Sequence, residues 1–140
     1  GLGDVYKRQQ KLLDQNALWR NVYVSETDSQ AEDELYEFLI DTRKHMMEIR
    51  SELNPNDFKP LPETLNAWTD PAVSHEEGAR MAMETGSLYG CTKKVKEQVA
   101  ELKELGVCHL LCQTGFGAMD MQQNISSMRR FGEEVIPSFS

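Results

Sequence analysis

GSLYGCTKKVKEQVAELKELGVCHLLCQTGFGAMDMQQNISSMRRFGEEVIPSF, residues 86–139, decides the fold class. Its first five residues predict a short strand that ends at a glycine. Thr92 is then expected to cap a helix, because apolar residues recur at helical spacing from Val95 to Leu105. Gly106 stands where a glycine commonly follows a helix end. This first half therefore predicts one strand and one helix.

The second half repeats the unit. Residues 107–113 (VCHLLCQ) form a continuous apolar run, which is typical of a strand buried on both faces of a parallel sheet. Residues 114–117 follow as a loop, and a last helix carries its apolar residues up to Val135 and stops at Pro137. The order strand–helix–strand–helix implies right-handed crossovers between parallel strands, so the predicted fold class is α/β.

Further upstream, residues 19–25 (WRNVYVS) predict another buried strand. Thr27 has capping-box spacing to Gln30 and precedes a long helix expected over residues 29–52. Residues 54–71 hold four prolines and predict an irregular excursion. Residues 74–84 predict a second helix, with Ser74 as its cap. Residues 1–9 resemble translated sequencing adapter, so we expect them to be an artefact and the domain to comprise residues 10–140.

The composition restricts the class of partner. A net charge of −8 argues against binding nucleic acid through phosphate contacts. No apolar run approaches the roughly 18 residues of a membrane span, and no leader is recognisable, so we expect a cytoplasmic protein without a membrane partner. The three cysteines fit no zinc spacing and are expected to be buried, reduced thiols, so no metal site is predicted.

The whole pattern resembles the C-terminal end of the luciferase-like flavin-dependent monooxygenases. Those proteins close with a strand and a Gly-Thr/Ser-Pro opening, a helix, a Gly, an apolar strand, a Gly-rich loop, and a Ser-x-x-x-Phe helix that ends at Val-x-Pro. Residues 22–28 with Ala31 also resemble the family's strand and Thr-Asp-x-x-Ala helix start. Cys91-Thr92-Lys93 departs from the family, where a Thr-Pro pair is common. The matching segments are residues 88–92, 93–105, 106, 109–113, 115–117, 127–131 and 134–137.

The resemblance implies an incomplete, C-terminal portion of a TIM-like (β/α)8 barrel, since the complete fold needs at least roughly 250 residues. It implies a parent enzyme that uses reduced FMN and dioxygen on a small organic substrate, although some relatives use a deazaflavin. A flavin reductase is a possible partner, and the parent is expected to be a homo-oligomer. The isolated chain is expected to be inactive. The alternative is a non-catalytic α/β fragment, or a small ligand-binding domain unrelated to flavin.

The candidate cofactor-binding residues follow the apolar strand of residues 107–113, because barrel sites lie at the carboxyl ends of strands. Glycines in this loop allow a ligand to approach the backbone, the two polar side chains could bond to it, and the aromatic ring could pack on it. An ordinary turn remains the alternative interpretation. The candidates are Gln113, Thr114, Gly115, Phe116 and Gly117.

The three histidines and Trp68 are predicted to be structural or exposed residues. His109 could act as an acid or base inside a barrel, but a structural role is the preferred interpretation. His45 and His75 are expected at the surface, and Trp68 is expected to pack. The catalytic residues stay unassigned.

Overall fold

A computed structural model of the chain describes residues 17–55 and 68–139, with Gly3 apart from them. The predictions for residues 1–9, apart from Gly3, and for residues 56–67 of the excursion lie outside this part. Three strands and four helices follow one another within it, which confirms the α/β class. They are β1 (Ala17–Val24), α1 (Asp28–Leu53), α2 (His75–Gly86), β2 (Ser87–Gly90), α3 (Thr92–Glu104), β3 (His109–Gln113) and α4 (Met121–Arg130). The last helix continues through a π-helical turn, Phe131–Val135, and a 3-10 turn, Ile136–Ser138.

The helix ends are fixed by local side chains, as the sequence predicts at three of four places. The Thr27 hydroxyl accepts a hydrogen bond from the backbone N–H of Gln30, and the Ser74 hydroxyl accepts one from the backbone N–H of Glu77, both at 3.1 Å. Gly106 has φ +90 and closes α3 with two backbone bonds, from itself to Lys103 and from Val107 to Leu102. The prediction that Thr92 caps α3 is wrong.

Cys91 occupies that cap position and makes no side-chain bond there. The backbone N–H of Cys91 instead donates to the Asp28 carboxylate at 2.8 Å, and the Thr92 hydroxyl donates to Glu134 at 2.7 Å. Both side-chain contacts are long-range, so the start of α3 is held by α1 and by the turn after α4 rather than by its own cap.

The three strands form one parallel sheet in the order β2-β1-β3. The last four residues of β1 pair with β2, with Asn21 beside Ser87. The first five pair with β3, with Asn21 beside Gln113. Parallel pairing is confirmed. The order differs from that of consecutive strands in a closed barrel, where each strand lies between the one before it and the one after it.

Helices cover both faces of this sheet. Side chains alternate along a strand, so Trp19, Asn21 and Tyr23 share one face, here called the α1 face, and Val22 and Val24 share the other. Tyr23 packs in a core with α1, α2 and Phe116. Val22 and Val24 pack in a second core with α3 and the end of α4. Two separate cores therefore lie on opposite sides of β1.

The expectation that the strand of residues 107–113 is buried on both faces is wrong for this structure. β3 is an edge strand, and Leu111 is 55% exposed beside Trp19, which is 52% exposed. Leu110, on the other face, packs against the second core. The run of apolar residues correctly predicts a strand, but on the α1 face no described element covers its middle.

Candidate functional site

The carboxyl ends of the strands form a crevice at the point where the sheet changes winding direction. α1 follows β1 on one face, and α4 follows the neighbouring β3 on the other. Ligands of open α/β sheets bind at such a switch point. Here it opens into a space of about 240 Å³, called the strand-end crevice. Its lining residues are Tyr23, Val24, Ser25, Glu26, Gln30, Glu34, Gln122, Gln123, Ser126 and Arg130.

Glu34 is the hydrogen-bond acceptor at one wall of the crevice. Its carboxylate accepts bonds from the Tyr23 hydroxyl at 2.7 Å, the Ser25 hydroxyl at 3.4 Å and the Gln30 amide at 3.0 Å. Burial, with help from the neighbouring Glu34 carboxylate, raises the pKa of Tyr23 above its ordinary value. Tyr23 therefore keeps its proton and acts as a hydrogen-bond donor, not as a base.

The opposite wall is anchored by α4. The Ser127 hydroxyl accepts a bond at 2.9 Å from the backbone N–H of Val24, and both residues are buried. Arg130 forms an ion pair with Glu26 at 2.9 Å across the mouth of the crevice. These contacts hold the helix against the end of β1, so the width of the crevice is fixed by the fold.

The five predicted cofactor-binding residues are the last residue of β3 and the loop after it, and they divide into two groups. Gln113 and Thr114 are partly buried and Gly115 is exposed. Phe116 is 3% exposed in the core on the α1 face, so its ring packs on the protein. Gly117 has φ +47, and a Cβ there would stand 2.7 Å from the Asp41 carboxylate of α1. The loop is thus tied to α1, with its first three residues accessible.

A second cavity, of about 380 Å³, lies on the α1 face of the sheet. We call it the tryptophan pocket, because Trp19 and Trp68 both line it. Two of the sequence-predicted residues, Gln113 and Phe116, also line it, whereas the strand-end crevice takes none of the five. Its other lining residues are Asn21, Leu39, Thr42, Met46, Ala82 and Gly86.

Arg43 supports one side of this pocket. It is 1% exposed, and its guanidinium donates to the backbone carbonyls of Trp68 at 3.2 Å, Asp70 at 2.8 Å and Val73 at 3.0 Å. It also lies 3.0 Å from Nδ1 of His75. Burial lowers the pKa of Arg43, while the carboxylates of Asp70 and Glu76 oppose that shift. Arg43 therefore orders the segment that carries Trp68.

Sequence reasoning missed Arg43 because a lone arginine on a helix usually indicates a solvated face. A signal was present, however. Leu35, Leu39, Arg43 and Met47 recur every fourth residue, and all four are buried. An arginine on the buried stripe of an amphipathic helix indicates a buried acceptor cluster.

The remaining candidates are scattered. His45 and His109 are exposed, and His109 opens the edge strand. His75, expected at the surface, is partly exposed, and its Nδ1 lies 3.0 Å from the Arg43 guanidinium. Trp68 packs, as predicted, against the core on the α1 face.

The expectation of buried thiols is wrong for two cysteines, since Cys108 and Cys112 are exposed and Cys91 is partly buried. Desolvation of the sulfur nonetheless raises the pKa of the Cys112 thiol, which disfavours the nucleophilic thiolate. In the part of the chain that the structure describes, no cluster of three or more His, Cys, Asp or Glu side chains could hold a metal ion. None of the described helices is long and apolar enough to cross a membrane.

The chain matches no protein-family model, and no curated protein is significantly similar to it in sequence.

Proposed function

We propose that this chain is the C-terminal part of a luciferase-like flavin-dependent monooxygenase. The observation that carries the proposal is that the segments that resemble the family fall on the strands and helices of this structure in the family's order. Four family-like features occur in the expected order along the chain. They are the strand and helix start of residues 22–28, the strand ending at Gly90, the helix ending at Gly106, and the apolar strand with its glycine loop. The parallel sheet pairs the first five residues of β1 with β3 and its last four with β2.

The reaction that the family resemblance implies is an oxygen insertion by the flavin. Reduced flavin, dioxygen and a substrate C–H or equivalent bond give oxidised flavin, the oxygenated substrate and water. The protein's part in such a reaction is to bind and orient the flavin and to exclude bulk water.

The residues of the predicted loop fit a flavin in part. Gln113, Thr114 and the backbone of Gly115 are accessible and can bond to the polar edge of a ring. Phe116 and Gly117 are occupied by contacts with α1 and the core. The described loop thus supplies hydrogen bonds to a ring edge, and the phosphate of the cofactor would be held by other parts of the protein.

A barrel around this sheet would use the open side of β3. By resemblance to the family, β3 corresponds to the last strand of the barrel, and the last strand of a barrel pairs with the first. The exposed Leu111 and Trp19 would then be covered by strands from the upstream part of the protein. The strands of a barrel would also have to follow one another in order, whereas here β1 lies between β2 and β3, and this is the strongest structural demand of the proposal. The layer formed by α1 and α2 would in addition have to move away from that face.

The test uses the protein encoded when the reading frame is extended upstream of Gln10. We expect it to bind photoreduced FMN under anaerobic conditions and to change the rate at which dioxygen reoxidises it. Gly115→Leu should weaken FMN binding about tenfold, because the new side chain covers the accessible loop backbone. Gly132→Leu is the matched control, since a Cβ at Gly132 meets no atom within 4 Å.

Two outcomes would overturn the proposal. One is an extended frame without further strand–helix units, and the other is an extended protein that leaves the reoxidation of reduced FMN unchanged. Deazaflavin is tested in parallel as the alternative cofactor, since its binding in place of FMN would assign hydride transfer rather than oxygen insertion.

A second candidate is favoured by the sheet itself. Strand order β2-β1-β3, helices on both faces and a crevice at the switch point are features of small doubly wound ligand-binding domains. Under this candidate the chain folds with its present layers and binds a ligand without flavin chemistry. Stable, cooperative unfolding of the isolated chain together with no FMN binding by the extended protein would favour it.

A further inference from the structure

We infer that the tryptophan pocket is a binding site for a small, flat, uncharged aromatic compound that carries an N–H or O–H donor. The inference rests on the second candidate function, in which α1 and α2 keep their present places, because a barrel would cover Trp19 with upstream strands. It rests on the size of the pocket, on the chemistry of its walls and on two amide groups that lie beside each other at its floor.

The size of the pocket suits a small molecule. Its volume of about 380 Å³ lies within the roughly 300–1,000 Å³ of typical ligand sites. The strand-end crevice, at about 240 Å³, is smaller and more polar in its lining. The pocket is formed by the sheet, α1, α2 and the loop after β3, so described elements enclose it from several sides.

The walls are aromatic and aliphatic. Trp19 comes from the sheet and is 52% exposed, so its ring offers free surface, whereas Phe116 and Leu39 are buried and hold fixed positions. Trp68 is held through its carbonyl by Arg43. Flat rings of this kind favour an aromatic guest by stacked or edge-to-face contacts, each contributing beyond the area that it buries.

The polar groups decide which guest is preferred. Asn21 and Gln113 are register partners on neighbouring strands, so both side chains lie on the α1 face. The Asn21 amide nitrogen donates to the Ser87 hydroxyl at 3.3 Å, and the Gln113 amide nitrogen donates to the Gly115 carbonyl at 3.3 Å. Each amide keeps its carbonyl oxygen as an acceptor for a donor on a ligand. No lining residue carries a formal charge, so a neutral donor fits best.

The chain supplies its own reporter for this site. It contains two tryptophans, and both line the pocket. Titration with para-nitroaniline, a flat neutral aromatic amine whose nitro group quenches tryptophan emission, should therefore give saturable quenching. Corrections for absorbance come from the same titration of N-acetyltryptophanamide.

A matched pair of glycine variants locates the binding. Gly86 lines the pocket, and an added Cβ there meets no atom within 4 Å, so the side chain of Gly86→Leu starts in open space at the pocket wall. Gly132→Leu adds the same side chain at an equally open position outside it. We expect the apparent Kd to rise about tenfold or more in the first variant and to stay at the wild-type value in the second.

The donor preference is tested with nitrobenzene, which has the same ring and quencher but no N–H. Wild type should bind para-nitroaniline roughly 2- to 10-fold more tightly than nitrobenzene, and Gln113→Leu should reduce that preference, because it removes an acceptor and keeps the apolar walls. Linear, non-saturating quenching in wild type, or equal affinity of the Gly86→Leu and Gly132→Leu variants, would overturn the inference.

Discussion

Replacing Gly78 by alanine should destabilise the protein, although the same change in a helix ordinarily stabilises by up to about 1 kcal/mol. The methyl group of Gly78→Ala would stand 2.4 Å from Nε, 2.8 Å from Cδ and 2.9 Å from Cζ of Arg43. None of these separations is compatible with van der Waals contact. Either the arginine leaves its site or α2 moves away from α1.

The cost follows from what Arg43 does in that site. Its guanidinium is buried and donates to three backbone carbonyls, those of Trp68, Asp70 and Val73. A hydrogen bond to a charged group contributes about 1.5–3 kcal/mol, and disrupting a buried charge network costs about 3–5 kcal/mol. After allowance for the helical gain, we expect Gly78→Ala to lower the free energy of unfolding by about 2–4 kcal/mol.

A double-mutant cycle separates this explanation from a general effect of alanine in α2. Arg43→Ala removes all three atoms that the new methyl group would meet. In that background Gly78→Ala should change sign and stabilise the protein by up to about 1 kcal/mol, so the coupling energy is about 3 kcal/mol or more. Gly86→Ala, at an open position in the same helix, is the control and should have a small effect.

Urea unfolding followed by circular dichroism measures the four free energies, with a common slope for all variants. Tryptophan emission is recorded in the same samples, because loss of the Arg43 bond should alter the surroundings of Trp68. Equal destabilisation by Gly78→Ala in both backgrounds would refute the argument. A stabilising effect in the wild-type background would do the same, since it would mean that Arg43 moves aside without loss.

Three further outcomes are expected. Ser127→Ala should lower the free energy of unfolding by about 1–3 kcal/mol in urea unfolding, because the buried N–H of Val24 loses its acceptor. Ser126→Ala, at the exposed preceding residue, should change it little. The pKa of Tyr23 is higher in the folded protein than in the unfolded chain. The stabilisation from its protonated form is therefore complete below the unfolded-state pKa of about 10 and is lost as the pH rises from there through the folded-state pKa, so stability should fall above about pH 10. Tyr23→Phe should show a smaller fall when urea midpoints are compared on both sides of that pH. Gly90→Ala should destabilise the protein by about 1–3 kcal/mol, because a φ of +141 disfavours a side chain. The new Cβ would also stand 2.8 Å from the Asp28 carboxylate that holds the start of α3. A thermal midpoint equal to that of wild type would contradict this expectation.

The features that the sequence predicts well are decided within a few residues. Thr27, Ser74 and Gly106 work as expected because a cap needs one side chain, or one glycine, at a fixed distance from a helix end. The same local logic fails at Thr92, where a distant carboxylate, Asp28, takes the backbone donor of Cys91. A contact between residues 63 positions apart leaves no pattern in the local sequence.

Long-range arrangement decides the rest of the fold. The apolar run of β3 predicts a strand, but which strand lies beside it depends on the crossover, and here β1 stands between β2 and β3. Phe116 illustrates the consequence for the candidate site. Its place in a glycine loop after a strand predicts a contact with flavin, whereas the path of the loop toward α1 places the ring in the core, where it forms part of the wall of the tryptophan pocket. Gln113 ends β3 in register with Asn21 and lines the tryptophan pocket, and its role in binding a cofactor stays a prediction.

The α1 face of the sheet is where the two proposed functions make opposite demands. In a barrel, one face of every strand points to the interior and the other face carries the helices. Here the helices α1 and α2 cover the end of β1 near Tyr23, while Trp19 and Leu111 on the same face are more than half exposed. A doubly wound domain would keep α1 in place and leave the tryptophan pocket as a ligand site. A barrel would instead have to admit upstream strands beside β3 and shield Trp19. The accessibility of Trp19 to a quencher, compared between the chain and its upstream-extended form, therefore separates the two architectures: equal accessibility favours the doubly wound domain, and shielding in the extended form favours the barrel.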